Sequence, residues 1–359
     1  QPGRAPLVYI VPGLGAHRLA RPAIALAELV HKNGFSAVCV SSAYNSEFME
    51  HASTAAMPGH LPVEGHDLHV ALTEIDRRLR ALYPGRLGEK ALMGYSMGAF
   101  HSLFVAATEL TDGLPLIKFD RYVALNTPVR MAYGVSKLDA FYRAPLEWPC
   151  AERTGHIENT FMKVAALSKS SGTPHTSLPF SAIESKFLIG LTFRLILRDV
   201  IFSSQRRNHQ GTLQHPVRNG RRIPVYEEIL QYSYQDYFEK LVVPYYQARG
   251  MDRPTTEALE TAGDLRTYEA GLRANPNIRI IVNQNDFLLA DEDLLWLRAT
   301  FAPETLTVFE QGGHLGNLLN PEVQQSILRA LTNRKPSQGA PLARLRLRPA
   351  RRVNDSWPL

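Results

Sequence analysis

Ser96 stands in the stretch Gly94-Tyr95-Ser96-Met97-Gly98, between the apolar run Ala91-Leu92-Met93 and a helix-like segment that begins near Met97. A serine hydroxyl attacks a carbonyl only if it stands clear of the backbone. A sharp strand-to-helix turn does this when small residues two positions on either side let strand and helix crowd together. Gly94 and Gly98 are those residues. A hydroxyl is also a weak nucleophile unless a base takes its proton, and the base needs a partner that fixes its tautomer and stabilises its positive charge. Two further stretches offer these groups: Asn283-Gln284-Asn285-Asp286, which follows the run ending at Val282, and Gln311-Gly312-Gly313-His314. His314 is placed to be the base and Asp286 its partner. Asp291 and Asp293 compete for the acid's role, although both fit better in the first turn of the following helix, where carboxylates favour the helix dipole.

These residues need elements to carry them. Leu7-Val8-Tyr9-Ile10-Val11 is a continuous apolar run of strand length, ended by Pro12-Gly13-Leu14-Gly15. Helical spacing over Ala20 to Lys32 stops at Asn33-Gly34, and Ser36 to Val40 gives a second strand. Ser41 to Gly65 lacks periodicity and reads as a loop, before an amphipathic helix from Asp67 to Tyr83. Lys90 to Met93 is the strand feeding Ser96, Met97 to Glu109 the helix after it, and Arg121 to Leu125 the next strand. The alternation then stops: Pro128 to Asn275 shows helical stretches, such as Ser185 to Ser203 and Val225 to Arg249, and no convincing strand. It resumes with Ile278 to Val282, a helix from Asp291, a strand from Thr305 and a helix from Pro321. Such alternation implies a mostly parallel sheet with right-handed crossovers and helices on both faces. In such sheets, ligands bind beyond the carboxyl ends of the strands, which is where the chemically loaded loops fall.

The order nucleophile, acid, histidine, each on its own post-strand loop, resembles the α/β-hydrolase superfamily. The resemblance spans roughly Leu7 to Thr332. It implies an α/β-hydrolase core from 1–127 and 276–333, a helical cap inserted at 128–275, and a basic C-terminal tail at 334–359. Its nucleophile, acid and base fall on Ser96, Asp286 and His314, and its oxyanion hole on the backbone N–H groups of Leu14 and Met97. This chain has Pro12-Gly13 where the family often has His-Gly, and Asn283 where it often has Gly. Some members take the acid from the loop after the next strand, which here reads Asn126-Thr127-Pro128 and holds no carboxylate. The resemblance implies a serine hydrolase cleaving a carboxylic ester of a fairly hydrophobic, small-molecule or lipid-like substrate. Tyr95, Tyr234, Tyr237 and Phe238 are candidates for the substrate pocket. An acyltransferase, thioesterase or amidase with the same triad, and a non-catalytic binding protein on this fold, remain open.

Composition narrows the partners. A chain of 359 residues with 45% apolar and 21% charged residues can build a large core. The net charge of +6 equals that of the stretch from Arg334 onward, with seven Arg and Lys against one Asp, so the body is formally neutral. That excludes a nucleic-acid surface on the body and leaves the tail weak contact with an anionic membrane surface. Phe187 to Phe202, the most apolar stretch, is too short to span a bilayer and carries Arg194, Arg198 and Asp199. His60, His66 and His69 with Asp67 lack a second ligand set, and the triad needs no metal, so neither metal nor cofactor is expected. Two cysteines, Cys39 and Cys150, cannot make a disulfide framework. The first residue is Gln1 rather than Met, which favours an exported or periplasmic location over the cytoplasm.

Overall fold

The computed structural model describes residues 4–332 except 110–112, 114, 115, 170–178, 219, 221 and 253, so the basic tail lies outside the described residues. Six strands, β1 (Ala5–Val11), β2 (Ser36–Cys39), β3 (Leu87–Tyr95), β4 (Arg121–Leu125), β5 (Ile278–Asn283) and β6 (Leu306–Phe309), form one sheet in the order β2-β1-β3-β4-β5-β6. Every neighbouring pair is parallel. Between the strands run α1 (Arg21–Lys32), α2 (Ser46–His51), α3 (Leu61–Leu82) and α4 (Met97–Thr108). The stretch between β4 and β5 holds α5 (Met131–Tyr142), α6 (Arg153–Lys169), α7 (Ala182–Arg207), α8 (Ile223–Ile229), α9 (Tyr234–Tyr237), α10 (Val243–Ala248), α11 (Thr256–Ala262) and α12 (Glu269–Ala274). Two more helices, α13 (Asp291–Thr300) and α14 (Pro321–Leu331), complete the elements of the described residues.

The sheet is the expected parallel α/β sheet with helices on both faces. β1 reads as an unbroken apolar run because it is buried on both sides: Val8 and Ile10 pack with Leu26 of α1 and Ile327 of α14, whereas Leu7, Tyr9 and Val11 face Leu68 of α3 and Leu103 of α4. β2 lies on one side of β1 and β3 on the other, so the direction of winding reverses there and a crevice opens above their carboxyl ends. The loops after β1 and β3 meet in that crevice.

The stretch between β4 and β5 contains, among the described residues, no strand beyond an isolated bridge between Arg130 and Asp264. Its helices are pinned by a buried charge pair. Arg194 of α7 donates to Asp139 of α5 at 2.8 Å, stacks over the Tyr142 ring at 4.4 Å and bonds the Tyr232 carbonyl. Asp139 also accepts from the backbone N–H of Tyr234 at 3.1 Å, which locks α9 onto the pair. α5 and α7 cross so closely that a Cβ on Gly190 would lie 2.2 Å from the Tyr142 nitrogen. Ser181 and Glu184 form a reciprocal capping box at the start of α7.

Two sequence expectations are corrected here. The helix expected from Asp67 begins at Leu61, and α2 interrupts the stretch expected to be loop. Pro62 suits the first turn of a helix, and Glu64, polar enough to suggest a loop, is buried against His101 of α4. The single helix expected over Val225 to Arg249 is four pieces, with a π-helical turn at Phe238–Val242 between α9 and α10. No helix of the described residues is long and apolar enough to cross a membrane. Cys39 and Cys150 are free thiols, the first pushed upward in pKa by burial.

Candidate active site

Ser96 sits between β3 and α4 with φ 55° and ψ −126°, a backbone conformation that non-glycine residues rarely adopt. Its surroundings hold it there. Its N–H donates to the Leu125 carbonyl of β4 at 2.9 Å, while its own carbonyl accepts from Ala99 at 2.9 Å. Strand and helix are pressed together: a Cβ on Gly94 would lie 2.1 Å from the Gly98 oxygen, and one on Gly98 would lie 2.1 Å from the Val11 oxygen. Only glycine fits at either position. The Ser96 side chain does not cap its own helix, which leaves the hydroxyl for another partner.

That partner is His314, whose Nε2 lies 2.8 Å from Ser96 Oγ. The other ring nitrogen, Nδ1, lies 2.8 and 3.0 Å from the two carboxyl oxygens of Asp286. Asp286 also accepts from the Leu288 N–H at 3.0 Å and from Asn126 Nδ2 at 2.9 Å. A carboxylate only accepts, so its contact with Nδ1 assigns the imidazole proton to that nitrogen and leaves Nε2 free to accept from the serine hydroxyl. Asp286 is buried, and Phe287 shields the histidine with ring centroids 5.5 Å apart. The competing acids lie elsewhere: Asp293 holds Arg130 at 2.6 Å, and Asp291 is exposed in the first turn of α13.

The loop that carries His314 is built from amides. Asn283 Nδ2 donates to the Gly313 carbonyl at 2.7 Å and to Asn317 at 2.9 Å, and Asn285 Oδ1 accepts from the Gly313 N–H at 2.8 Å. Gly312 adopts φ 150° with Asn317 and Asn283 nitrogens within 2.5 Å of where a Cβ would stand, so the tight loop requires glycine. Leu315 follows at φ 66°.

The loop after β1 passes over the serine. A Cβ on Gly13 would meet Ser96 Cβ at 3.1 Å and Oγ at 3.4 Å, so the backbone of Gly13 runs directly beside the Ser96 side chain. Met97 opens α4, where first-turn amides have no acceptor within the helix. A cavity of about 300 Å³ begins at Met97 and extends between α3, α4, α5 and α11. Its walls include Phe100, Met131, Val135, Leu259 and Phe238, with Glu64 and Tyr44 among its polar groups.

The four aromatic candidates divide. Phe238 lines the cavity, and with Tyr234 and Tyr237 it also lines a narrow space beside Leu14. Tyr95 lines neither, which corrects its place among the pocket residues. Adjacent strand residues face opposite sides of the sheet, and Tyr95 packs with Ile10, Leu125 and Leu318 on the far face. Tyrosine hydroxyls here also do structural work: those of Tyr237 and Tyr246 donate to the carbonyls of Pro58 and Met57, and that of Tyr245 accepts from the Ala56 N–H.

Two features escaped sequence reasoning. Asn126, at φ 47°, occupies the post-β4 loop that lacks a carboxylate, and it holds the carboxylate of Asp286 instead. Asparagine tolerates that backbone conformation, which was the available signal. The second is a buried pair: Glu64 of α3 and His101 of α4 lie 2.8 Å apart, almost fully excluded from water. Glu64 also accepts from the Gly59 N–H and from Tyr44, whose hydroxyl is pushed up in pKa by burial and by the Glu64 charge. His69 and Asp67 serve separate local contacts, to the Ile117 carbonyl and to Thr54.

No protein-family model and no curated protein sequence matches the chain. Solved structures do resemble it. An esterase of Pyrococcus furiosus superposes with a TM-score of 0.44 at 11% identity, over 91% of this chain and 81% of that one. A proline iminopeptidase of Mycobacterium smegmatis gives 0.42 at 13% identity, over 92% and 89%. The hydrolase GrgF of Penicillium sp. sh18 gives 0.40 at 13% identity, over 92% and 88%.

Proposed function

We propose that the chain is a serine hydrolase of the α/β-hydrolase type that cleaves a carboxylic ester of a fairly hydrophobic acid through an acyl-enzyme. The observation that carries this reading is the continuous chain of contacts from Ser96 Oγ to His314 Nε2 and from His314 Nδ1 to Asp286, each at 2.8 Å, on a serine held at positive φ. His314 takes the hydroxyl proton as Ser96 Oγ bonds to the carbonyl carbon. Asp286 stabilises the imidazolium, and Asn126 keeps Asp286 in place. The Leu14 and Met97 amides receive the negative charge that develops on the carbonyl oxygen. His314 then gives its proton to the departing alkoxide, and a water activated by the same base releases the acid.

The cavity that begins at Met97 takes the acyl group. Burying acyl carbons contributes about 0.8 kcal/mol per methylene, so medium chains should exceed acetate by more than tenfold in kcat/KM. The test combines fluorophosphonate labelling with a series of p-nitrophenyl esters from acetate to dodecanoate. Ser96 should be the labelled residue, and Ser96→Ala should abolish labelling and lower turnover by several orders of magnitude while the protein stays folded. Near-full activity in a folded Ser96→Ala protein would refute the reading. A flat ester profile would remove the acyl cavity from it and leave the triad.

A further inference from the structure

Two spaces near Ser96 differ in character. One is the largely apolar cavity beginning at Met97. The other is a cleft of about 350 Å³ between α2, α7 and α8, with Gly15, two residues beyond Gly13, in its wall. A third, small space of about 10 Å³ lies at Leu14. Tyr44 borders all three spaces; Ile196 is shared by the small space and the cleft, and Met131, Val135 and Phe238 by the small space and the cavity. Gly15 walls the cleft one residue beyond Leu14, so an ester held with its carbonyl oxygen at the Leu14 amide and its acyl group in the cavity would have the cleft on the far side of Leu14 for its alcohol.

The cleft is lined by three arginines, Arg198, Arg206 and Arg222, against Glu50 and Asp199. Two of the guanidinium groups are held on aromatic faces. Arg198 lies 4.4 Å over the Tyr226 ring and Arg222 5.3 Å over the Phe202 ring, and the two rings meet edge to face at 5.1 Å. Stacking fixes a guanidinium by its face and leaves its N–H edge available to a planar or tetrahedral oxyanion. Arg198 spends part of that edge on its neighbour Asp199 at 2.8 Å, and Arg206 stands 3.6 Å from Glu50. Arg222 has no carboxylate partner among the described residues, so the cleft carries one uncompensated positive charge.

We propose that this cleft binds an anionic group, phosphate or carboxylate, carried on the alcohol half of the ester. The inference rests on the serine-hydrolase reading and adds to it the class of leaving group. It makes Arg222 a specificity residue, with Arg198 beside it.

The test uses five substrates with six-carbon acyl groups on the full chain. Three are hexanoyl esters of a phenol bearing a para phosphate, a para carboxylate or a neutral para carboxamide; the fourth is the p-nitrophenyl monoester of adipate, with its anion at the acyl end, and the fifth is p-nitrophenyl hexanoate. The two anionic alcohols should exceed the neutral one by roughly tenfold in kcat/KM, the gain expected of one charge-assisted contact, and their ranking identifies which anion fits. The adipate ester should show no such gain over p-nitrophenyl hexanoate. The preference should shrink in about 0.5 M salt, where the screening length falls below about 5 Å. Arg222→Gln should remove the preference and leave the neutral ester unchanged, and Arg222→Lys should restore part of it. Equal rates on anionic and neutral alcohols, or an Arg222→Gln penalty shared by both, overturns this inference alone. Absence of turnover and of Ser96 labelling overturns the hydrolase reading and this inference with it.

Discussion

Replacing Asn126 by aspartate should disable the site at neutral pH while barely changing its shape. Asn126 Nδ2 donates to Asp286 Oδ2 at 2.9 Å, and the same oxygen is 2.8 Å from His314 Nδ1. A carboxylate at residue 126 therefore stands about 2.9 Å from Asp286, with which it shares a proton until the second acid ionises, and within about 5.7 Å of the imidazole; with both acids ionised, at an effective dielectric of about 20, its charge favours the imidazolium by about 3 kcal/mol. His314 must be neutral to accept the Ser96 proton, so this charge acts against catalysis. The acid limb of the pH–rate profile should move upward by about two pH units, with much of the lost rate recovered on the alkaline side. Asn126→Ala is the control: it removes a charge-assisted hydrogen bond without adding charge, at a cost of about 1.5–3 kcal/mol, and lowers kcat/KM without a comparable displacement of the limb. The assay is kcat/KM for a p-nitrophenyl ester across pH, with circular dichroism to confirm that both variants are folded. An Asn126→Asp profile that overlays the parent's would show that Asn126 does not act on Asp286.

Gly98→Ala places a methyl group 2.1 Å from the Val11 oxygen and 2.5 Å from the Pro12 oxygen, both backbone atoms. Its destabilisation should exceed the roughly 1–3 kcal/mol of ordinary overpacking, and thermal unfolding together with fluorophosphonate labelling should show both stability and reactivity reduced. Glu64→Ala leaves His101, Tyr44 and the Gly59 N–H without their buried acceptor and should cost about 3–5 kcal/mol in urea unfolding, with Glu64→Gln milder because its amide oxygen still accepts. Burial raises the Glu109 carboxyl to about 7, so the folded state keeps a proton that the unfolded chain releases near its ordinary value. That contribution is complete below the unfolded value and is lost as pH rises through about 7, so Glu109→Gln should raise the melting temperature near pH 8 and change it little near pH 4.

The sheet was legible because its strands announce themselves. β1, β4 and β5 are apolar runs buried on both faces, and each ends in Gly, Pro or Asn at the loop that carries chemistry. Ser96, Asp286 and His314 could be read as candidates because nucleophile, acid and base each follow a strand in order, and the structure brings all three into contact. The start of α3 was not legible, since Glu64 and His66 look like loop residues until His101, 37 positions away, is folded against Glu64. Tyr95 was misplaced because alternation along a strand buried on both faces carries no polar mark of which face is which. The broken helices from Ile223 to Ala248 follow from Ser233, which caps a new helix with Asp236, from Pro244 in the first turn of α10, and from tyrosine hydroxyls that donate to carbonyls of residues 57 and 58. Asn126 stayed hidden because its role is to another side chain 160 positions away.

The contact between Ser96 and His314 joins residues 218 positions apart. During synthesis at about 5–20 residues per second, the serine precedes its base by about 10–40 s. β4, the whole helical stretch, β5 and the edge strand β6 must be laid down in that interval. A half-made chain therefore presents a serine that nothing deprotonates. On the proposed mechanism, Ser96 gains its base only once β6 and the loop after it have joined the sheet. Recovery of fluorophosphonate labelling on refolding would time the docking of β6 and nothing earlier.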